Sequence, residues 1–167
     1  MTKTVLTLIT LLVLCTAVIT LAGTVEPPEE CVSCGMNRTT FAQSRMVVTF
    51  GDNSSAATCS VNCAVQVMGE KRGKMLKSAQ VADYDSRKLI DARTASWVIG
   101  GDRRGVMSPV AKWAFADRKG AEAFIRKHGG VLTSFDDVLK ETEKELEGAG
   151  QPASHGHGQS GHGGHGM

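Results

Sequence analysis

Along the middle of the chain the spacing of apolar residues switches repeatedly between a period of two and a period near 3.6, and the switches mark its elements. Arg45-Met-Val-Val-Thr-Phe50 is a β-branched, apolar run that predicts a strand, and the turn cluster Gly51-Asp-Asn-Ser-Ser55 predicts a reversal into a second strand at 56–59. Ser60 stands where an N-cap is needed, because Val61, Ala64, Val65 and Met68 then fall at i, i+3, i+4 and i+7 of a helix. Residues 79–84 read as the strand that follows it. The same order recurs downstream. Residues 88–92 and 96–99 predict strands, Gly100-Gly-Asp-Arg-Arg-Gly105 a loop, and 112–116 another strand. Asp117 caps a helix with Ala121, Phe124, Ile125 and His128 on one face; Gly129-Gly130 ends it, and 131–133 returns as a strand. Ser134-Phe-Asp-Asp137 has capping-box spacing before a charged helix to about Glu147, with Phe135, Leu139 and Leu146 on its apolar side. Two successive strand–strand–helix–strand units predict an α+β fold, two similar halves packed as one domain. Residue identity between the halves is weak, so the repeat is one of pattern.

The ends of the chain differ in composition from this middle. Lys3 precedes an uncharged apolar run from Val5 to Ala22, which reads as an export signal. The run is also close to the ~20 residues that span a bilayer, so an uncleaved N-terminal membrane anchor is the alternative for residues 1–22. Cleavage after Ala22 would use Thr20 and Ala22 at the −3 and −1 positions. The bulky Leu14 before Cys15 argues against lipoprotein processing, so Cys15 reads as an apolar filler. Either way the rest of the chain is expected outside the cytoplasmic membrane, in the periplasm or an equivalent extracytoplasmic space. Residues 23–30 are a polar, Pro-containing spacer, 31–147 the folded domain, and 148–167 a low-complexity tail with His155, His157, His162 and His165. Such a tail lacks the apolar surface to order itself. Its histidines can bind Cu²⁺, Ni²⁺ or Zn²⁺ loosely, and a merely soluble tail with incidental His reads equally well.

Charge and chemistry then exclude several classes. The net charge is +2, and losing residues 1–22 removes only Lys3, leaving +1. With no Arg or Lys run interleaved with aromatics, nucleic acid is not an expected partner. His128 is the single histidine between 31 and 147, so no Ser-His-Asp arrangement can be assembled, and the Gly pairs end elements rather than opening helices around a phosphate. The chain therefore reads as a non-enzyme. Its best enzymatic rival is a thiol–disulfide oxidoreductase built on Cys31-x-x-Cys34, although that pair follows a Pro-Glu spacer rather than a strand.

The informative chemistry is sulfur. Cys31-Val-Ser-Cys-Gly-Met36 places two thiols and a thioether within six residues, and Cys59-x-x-x-Cys63 adds a second pair at a predicted helix start. Soft ligands of this kind select Cu(I), Zn²⁺ or iron–sulfur iron. Cys63 lies in the first turn, where the helix dipole lowers a thiol pKa. Four readings compete: one four-thiolate site for Zn²⁺ or copper, two disulfides, one disulfide plus free ligands, or Cys63 as a small buried hydrophobe. The ligand reading is preferred for Cys31 and Cys34, and ligand and disulfide readings stand level for Cys59 and Cys63. Met46, Met68, Trp97 and Trp113 fall on predicted core faces; Met75 reads as core or surface; His128 reads as a cap at a helix end. Asp83-Tyr-Asp85 and Asp102-Arg-Arg104 read as solvated turns.

Taken in order, Cys31-Val-Ser-Cys-Gly-Met36, Ala82-Asp-Tyr84, Leu89-Ile-Asp-Ala92, Trp97-Val-Ile-Gly-Gly101, Gly105-Val-Met107 and the 121–130 helix resemble the NosL family of nitrous-oxide reductase accessory proteins. The resemblance runs over 31–138. It implies a fold of two related β/α halves, similar to the organomercurial lyase fold, and an exported copper-binding protein. It further implies Cu(I) as the bound metal, carried as a metallochaperone to an apo cuproenzyme, nitrous-oxide reductase, with membrane assembly factors as further partners. Cys34, Met36 and Met107 match the family's metal-binding positions, a soft set of low total charge that suits Cu(I) better than Zn²⁺. Cys31, Cys59 and Cys63 are additional candidates, and a structural Zn²⁺ module using all four cysteines is the non-copper alternative. The chain departs from the family pattern in lacking a convincing lipobox and in carrying the Cys59/Cys63 pair.

Overall fold

Ser60 and Asp117 start the two helices that follow the predicted hairpins. In the computed structural model, which describes residues 25–150, Ser60 is extended (φ −160°, ψ 169°) and its hydroxyl accepts from the Cys63 amide at 3.5 Å. The Asp117 carboxylate accepts from the Gly120 amide at 2.8 Å. Capping these orphan amides fixes where each helix begins. The elements are β1 (Met46–Phe50), β2 (Ser55–Thr58), α1 (Val61–Glu70), β3 (Leu76–Ala82), β4 (Leu89–Asp91), β5 (Ser96–Ile99), β6 (Lys112–Phe115), α2 (Arg118–His128), β7 (Val131–Thr133) and α3 (Phe135–Gly150).

The strands form two antiparallel sheets, in the orders β2-β1-β3-β4 and β6-β5-β7. In each, the first strand of a unit is central, flanked by its hairpin partner and by the strand that returns after the helix. The two halves expected from the pattern are therefore real, as β1-β2-α1-β3 and β5-β6-α2-β7. The expected strand at 88–92 is shorter and pairs with β3, Val81 opposite Ile90, so it closes the first sheet instead of opening the second unit. At the end of α2, Gly129 (φ 73°) and Gly130 (φ 100°) adopt left-handed backbone, and a Cβ on Gly130 would sit 2.8 Å from the Val98 side chain. Glycine there both stops the helix and lets β7 start against β5.

Period-two alternation on the second sheet divides the interior. Trp97 and Ala114 face a core shared with β1, β3, α1 and α3, whereas Val98, Trp113 and Phe115 face α2 through Ala121 and Phe124. Helix α3 closes the first core: Phe135 stacks on Trp97 with ring centroids 5.6 Å apart, and Val138 is fully buried. Met46 and both tryptophans are core residues as expected, and Met75 is exposed.

Asp83 and Tyr84 are not a solvated turn. β3 ends at Ala82 because Asp83 turns its carboxylate inward, accepting from the Ser86 amide and hydroxyl (2.8 and 2.6 Å) and from the Ala116 amide across the domain (2.9 Å). Tyr84 donates its amide to the Ala114 carbonyl at 2.8 Å and packs its ring against Trp113 and Phe124. This dipeptide joins the first half to the edge of the second sheet. Burial pushes the Asp83 carboxyl up, but the Ser86 and Ala116 donors outweigh it and hold the group below the usual carboxylate range. A depressed folded pKa means stabilisation present above the unfolded value of about 4 and lost as pH falls through the folded one. Asp83→Asn is expected to cost about 2 kcal/mol in denaturant unfolding at pH 7 and progressively less as the buffer is taken below about pH 4. An equal loss at both ends of that range would contradict the role assigned to the carboxylate.

Candidate metal centre

The Cys31–Met36 segment folds as a tight loop. Cys31 donates its amide to the Met36 carbonyl at 2.9 Å, Gly35 donates back to Cys31 at 2.8 Å, and Glu30 and Asn37 close the loop as an antiparallel bridge. Gly35 takes φ 74°, which a side chain would resist, so Gly in Cys-Gly-Met is a requirement of the turn. Val32 donates to the Ala57 carbonyl at 3.0 Å, laying the loop on β2. β2 then delivers Cys59, and the Ser60 cap sets Cys63 in the first turn of α1.

All four thiols consequently meet. Their sulfurs lie within 4.8 Å of one another, with Cys34 Sγ 3.5 Å from Cys59 Sγ and Cys59 Sγ 3.7 Å from Cys63 Sγ. All four are free; Cys31, Cys59 and Cys63 are buried and Cys34 is half-buried. These separations are those of thiolates around one thiophilic ion, since tetrahedral ligands at a bond length of about 2.3 Å stand about 3.8 Å apart. Hydrogen bonding from Cys59 draws the Cys63 thiol down to about 5 against the opposing effect of burial, and the same contact pushes Cys59 up. Burial also raises Cys34, partly offset by the Met36 amide. The Cys63 thiolate is thus favoured, and its charge opposes ionisation of Cys59. A cation at the centre would reverse that opposition. Cys31 and Cys34 lie in a loop, not at the helix N-terminus that oxidoreductase thiols use.

Met36 packs against the cysteine cluster together with Phe41 and Val106. Its other side lines an open pocket of about 540 Å³, shared with Gln43, Gly105, Met107 and Ser108. Met107 is 43% exposed and left-handed (φ 58°). Its carbonyl accepts a hydrogen bond from the Asn62 side-chain amide, which projects from α1 between Cys59 and Cys63. The six candidate ligands therefore fall into a buried cluster of thiols and a pocket-facing pair of thioethers. Met36 belongs to both, and Met107 stands across the pocket.

A model of the NosL family matches residues 22–142. This chain belongs to the NosL family. Among solved structures it matches one described as the copper chaperone NosL from Shewanella denitrificans, with a TM-score of 0.58 and 26% identity, covering 70% of this chain and 93% of that one. No curated protein matches. The expected fold is thus shown, including the family to which the resemblance pointed.

In this NosL protein the loop is held by a group that sequence reasoning missed. Arg38 is fully buried; it donates to the Thr58 carbonyl (3.2 Å), to the carbonyls of Glu26 (2.7 Å) and Pro28 (2.6 Å), and pairs with the Glu26 carboxylate. Arg45 pairs with the same carboxylate at 3.0 Å and donates to the Ala42 and Arg87 carbonyls, each at 2.7 Å. The stretch expected to be a spacer, 23–30, is therefore from Glu26 onward part of the fold. Asn62 was also overlooked, because a polar residue in the first turn beside Cys63 looks like solvent-facing filler. His128 pairs with Asp102 at 2.9 Å at the end of α2, away from the thiols. The signal or anchor segment, Cys15 and the tail histidines lie outside the described residues. Among the described residues no helix is long and apolar enough to cross a membrane. Arg38→Met is expected to cost roughly 3 kcal/mol, since it leaves three carbonyls without their donor and the Glu26 carboxylate with Arg45 alone, and to speed hydrogen exchange of the 31–37 amides in particular. A change under about 0.5 kcal/mol, as at an ordinary surface site, would show that the guanidinium does not hold the loop.

Proposed function

We propose that this NosL protein is an exported Cu(I) carrier that takes the ion onto its cysteine cluster and gives it to an apo cuproenzyme, nitrous-oxide reductase being the acceptor the family relation favours. The observation that carries the reading is the meeting of four free thiols beside a methionine that opens onto a pocket. The likeness to a protein described as a copper chaperone supports copper as the cargo. Thiolates and thioethers are the donors that select Cu(I), and among the described residues the group that meets here is made of cysteines, without the carboxylates that favour harder ions. Thioethers carry no proton, so Met36 and Met107 stay competent ligands at any pH. They also add no charge to hold the ion back. Hand-over is a ligand exchange at that face: an acceptor sulfur or nitrogen enters through the pocket, a Cu–thioether bond breaks, and copper stays Cu(I) throughout. Residues 1–22 would deliver the domain to the periplasm and, if retained, tether it to the inner membrane beside assembly factors.

The cluster geometry also favours a second reading, a structural Zn²⁺ module, because four thiolates form a closed tetrahedral site. Cu(I) titration against a chromophoric chelator under a non-thiol reductant separates the two. The expected outcome is tight Cu(I) binding that is lost when all four cysteines become Ser. Changing Met36 and Met107 together to Ala should weaken the most readily exchanged copper roughly tenfold, or about 1.4 kcal/mol. Purified protein that holds Zn²⁺ on all four cysteines and resists Cu(I) would instead establish the zinc module.

A further inference from the structure

We propose, building on the Cu(I) reading above, that the chain carries two Cu(I) ions: one in a buried well of Cys31, Cys59 and Cys63, the other at a mouth formed by Cys34, Met36 and Met107. Donor number points this way. Soft sulfur donors select Cu(I) and one ion in a tetrahedral site uses four ligands, whereas six are on offer: four thiols meet at one point, Met36 packs against them, and Met107 lines the pocket onto which Met36 opens.

Exposure divides those six sulfurs. Cys59 and Cys63 are fully buried and Cys31 is 3% exposed, while Cys34 and Met36 are half-buried and Met107 is 43% exposed. Charge divides them the same way. Three thiolates around one Cu(I) carry a net −2, which the N-terminal end of α1 beside Cys63 helps to balance. One thiolate and two thioethers around Cu(I) are neutral. The well therefore retains its ion and the mouth releases it. The two sets touch, with Cys34 Sγ 3.5 Å from Cys59 Sγ, so an ion can pass between them by trading one Cu–S bond for the next without entering water. Loading releases the thiol protons to solvent, and no electron moves. The Asn62 bond to the Met107 carbonyl joins the mouth to the helix that carries the well.

Native mass spectrometry of the full chain, titrated with Cu(I) under a non-thiol reductant, counts the ions. A chain with His155, His157, His162 and His165 changed to Asn removes any contribution from the tail. We expect two Cu(I) in that chain, with affinities at least tenfold apart by chelator competition. Cys63→Ser should lose the tighter ion and keep the weaker. Met36→Ala combined with Met107→Ala should keep the tighter ion and weaken the other roughly tenfold. Saturation at one Cu(I) would overturn the two-ion arrangement while leaving the carrier reading intact. Absence of tight Cu(I) binding would remove both. The count in the chain with the four tail histidines replaced decides the matter even if Cys63→Ser fails to fold.

Discussion

Arg38 places a cation in the interior with no exposed face and spends its donors on three backbone carbonyls and the Glu26 carboxylate. Two of those carbonyls belong to the chain entering the Cys31 loop, and the third belongs to Thr58, the residue before Cys59. The same guanidinium thus joins the segment that carries one thiol pair to the strand that carries the other. A buried cation so paired is strongly destabilised if any partner is withdrawn, so it enforces the arrangement more than it adds stability. Arg45 holds the far side of the same carboxylate, leaving Glu26 shared between two arginines.

The doubled fold explains why the site has two sides. The first half provides all four cysteines and Met36, from the entry loop and the β2–α1 junction. The second half provides Val106 and Met107, from the long connection between β5 and β6. That connection is pinned from below. Lys112 is buried and reaches Glu145 of α3 at 2.6 Å and the Ser108 hydroxyl at 2.9 Å, so the last helix secures the loop that bears Met107. Asp83 and Tyr84 join the halves along the sheet edge, while Phe135 on Trp97 joins them through the core. The relative position of thiols and thioethers thus depends on contacts across the whole domain.

Local pattern made most of this architecture legible. Ser60 and Asp117 announce helix starts, Gly129-Gly130 announces a stop, and the apolar runs at 96–99 and 112–115 announce strands. The cysteine pairs advertised soft-metal chemistry by composition alone. What stayed hidden were interactions whose partners lie far apart. Nothing beside Arg38 in Met36-Asn-Arg-Thr-Thr40 shows that its ring of acceptors comes from 26, 28 and 58. Asp83 looked solvated because the amide it holds is at 116, and 88–92, expected to open the second unit, pairs with β3 because strand pairing is a tertiary choice. The level contest between ligand and disulfide readings for Cys59 and Cys63 had the same origin: only the fold shows that all four sulfurs share one point.

That convergence is the centre of the functional account. The family relation and the open pocket each give the cluster a use, but the proposal itself concerns ligands: a soft ion held by sulfur donors of the folded domain. Copper K-edge X-ray absorption on the Cu(I)-loaded protein reads the first coordination shell directly. The account expects an edge typical of Cu(I) and a shell fitted by sulfur only, unchanged when the four tail histidines are replaced. A shell containing nitrogen or oxygen donors, or one that changes with the tail, would contradict it.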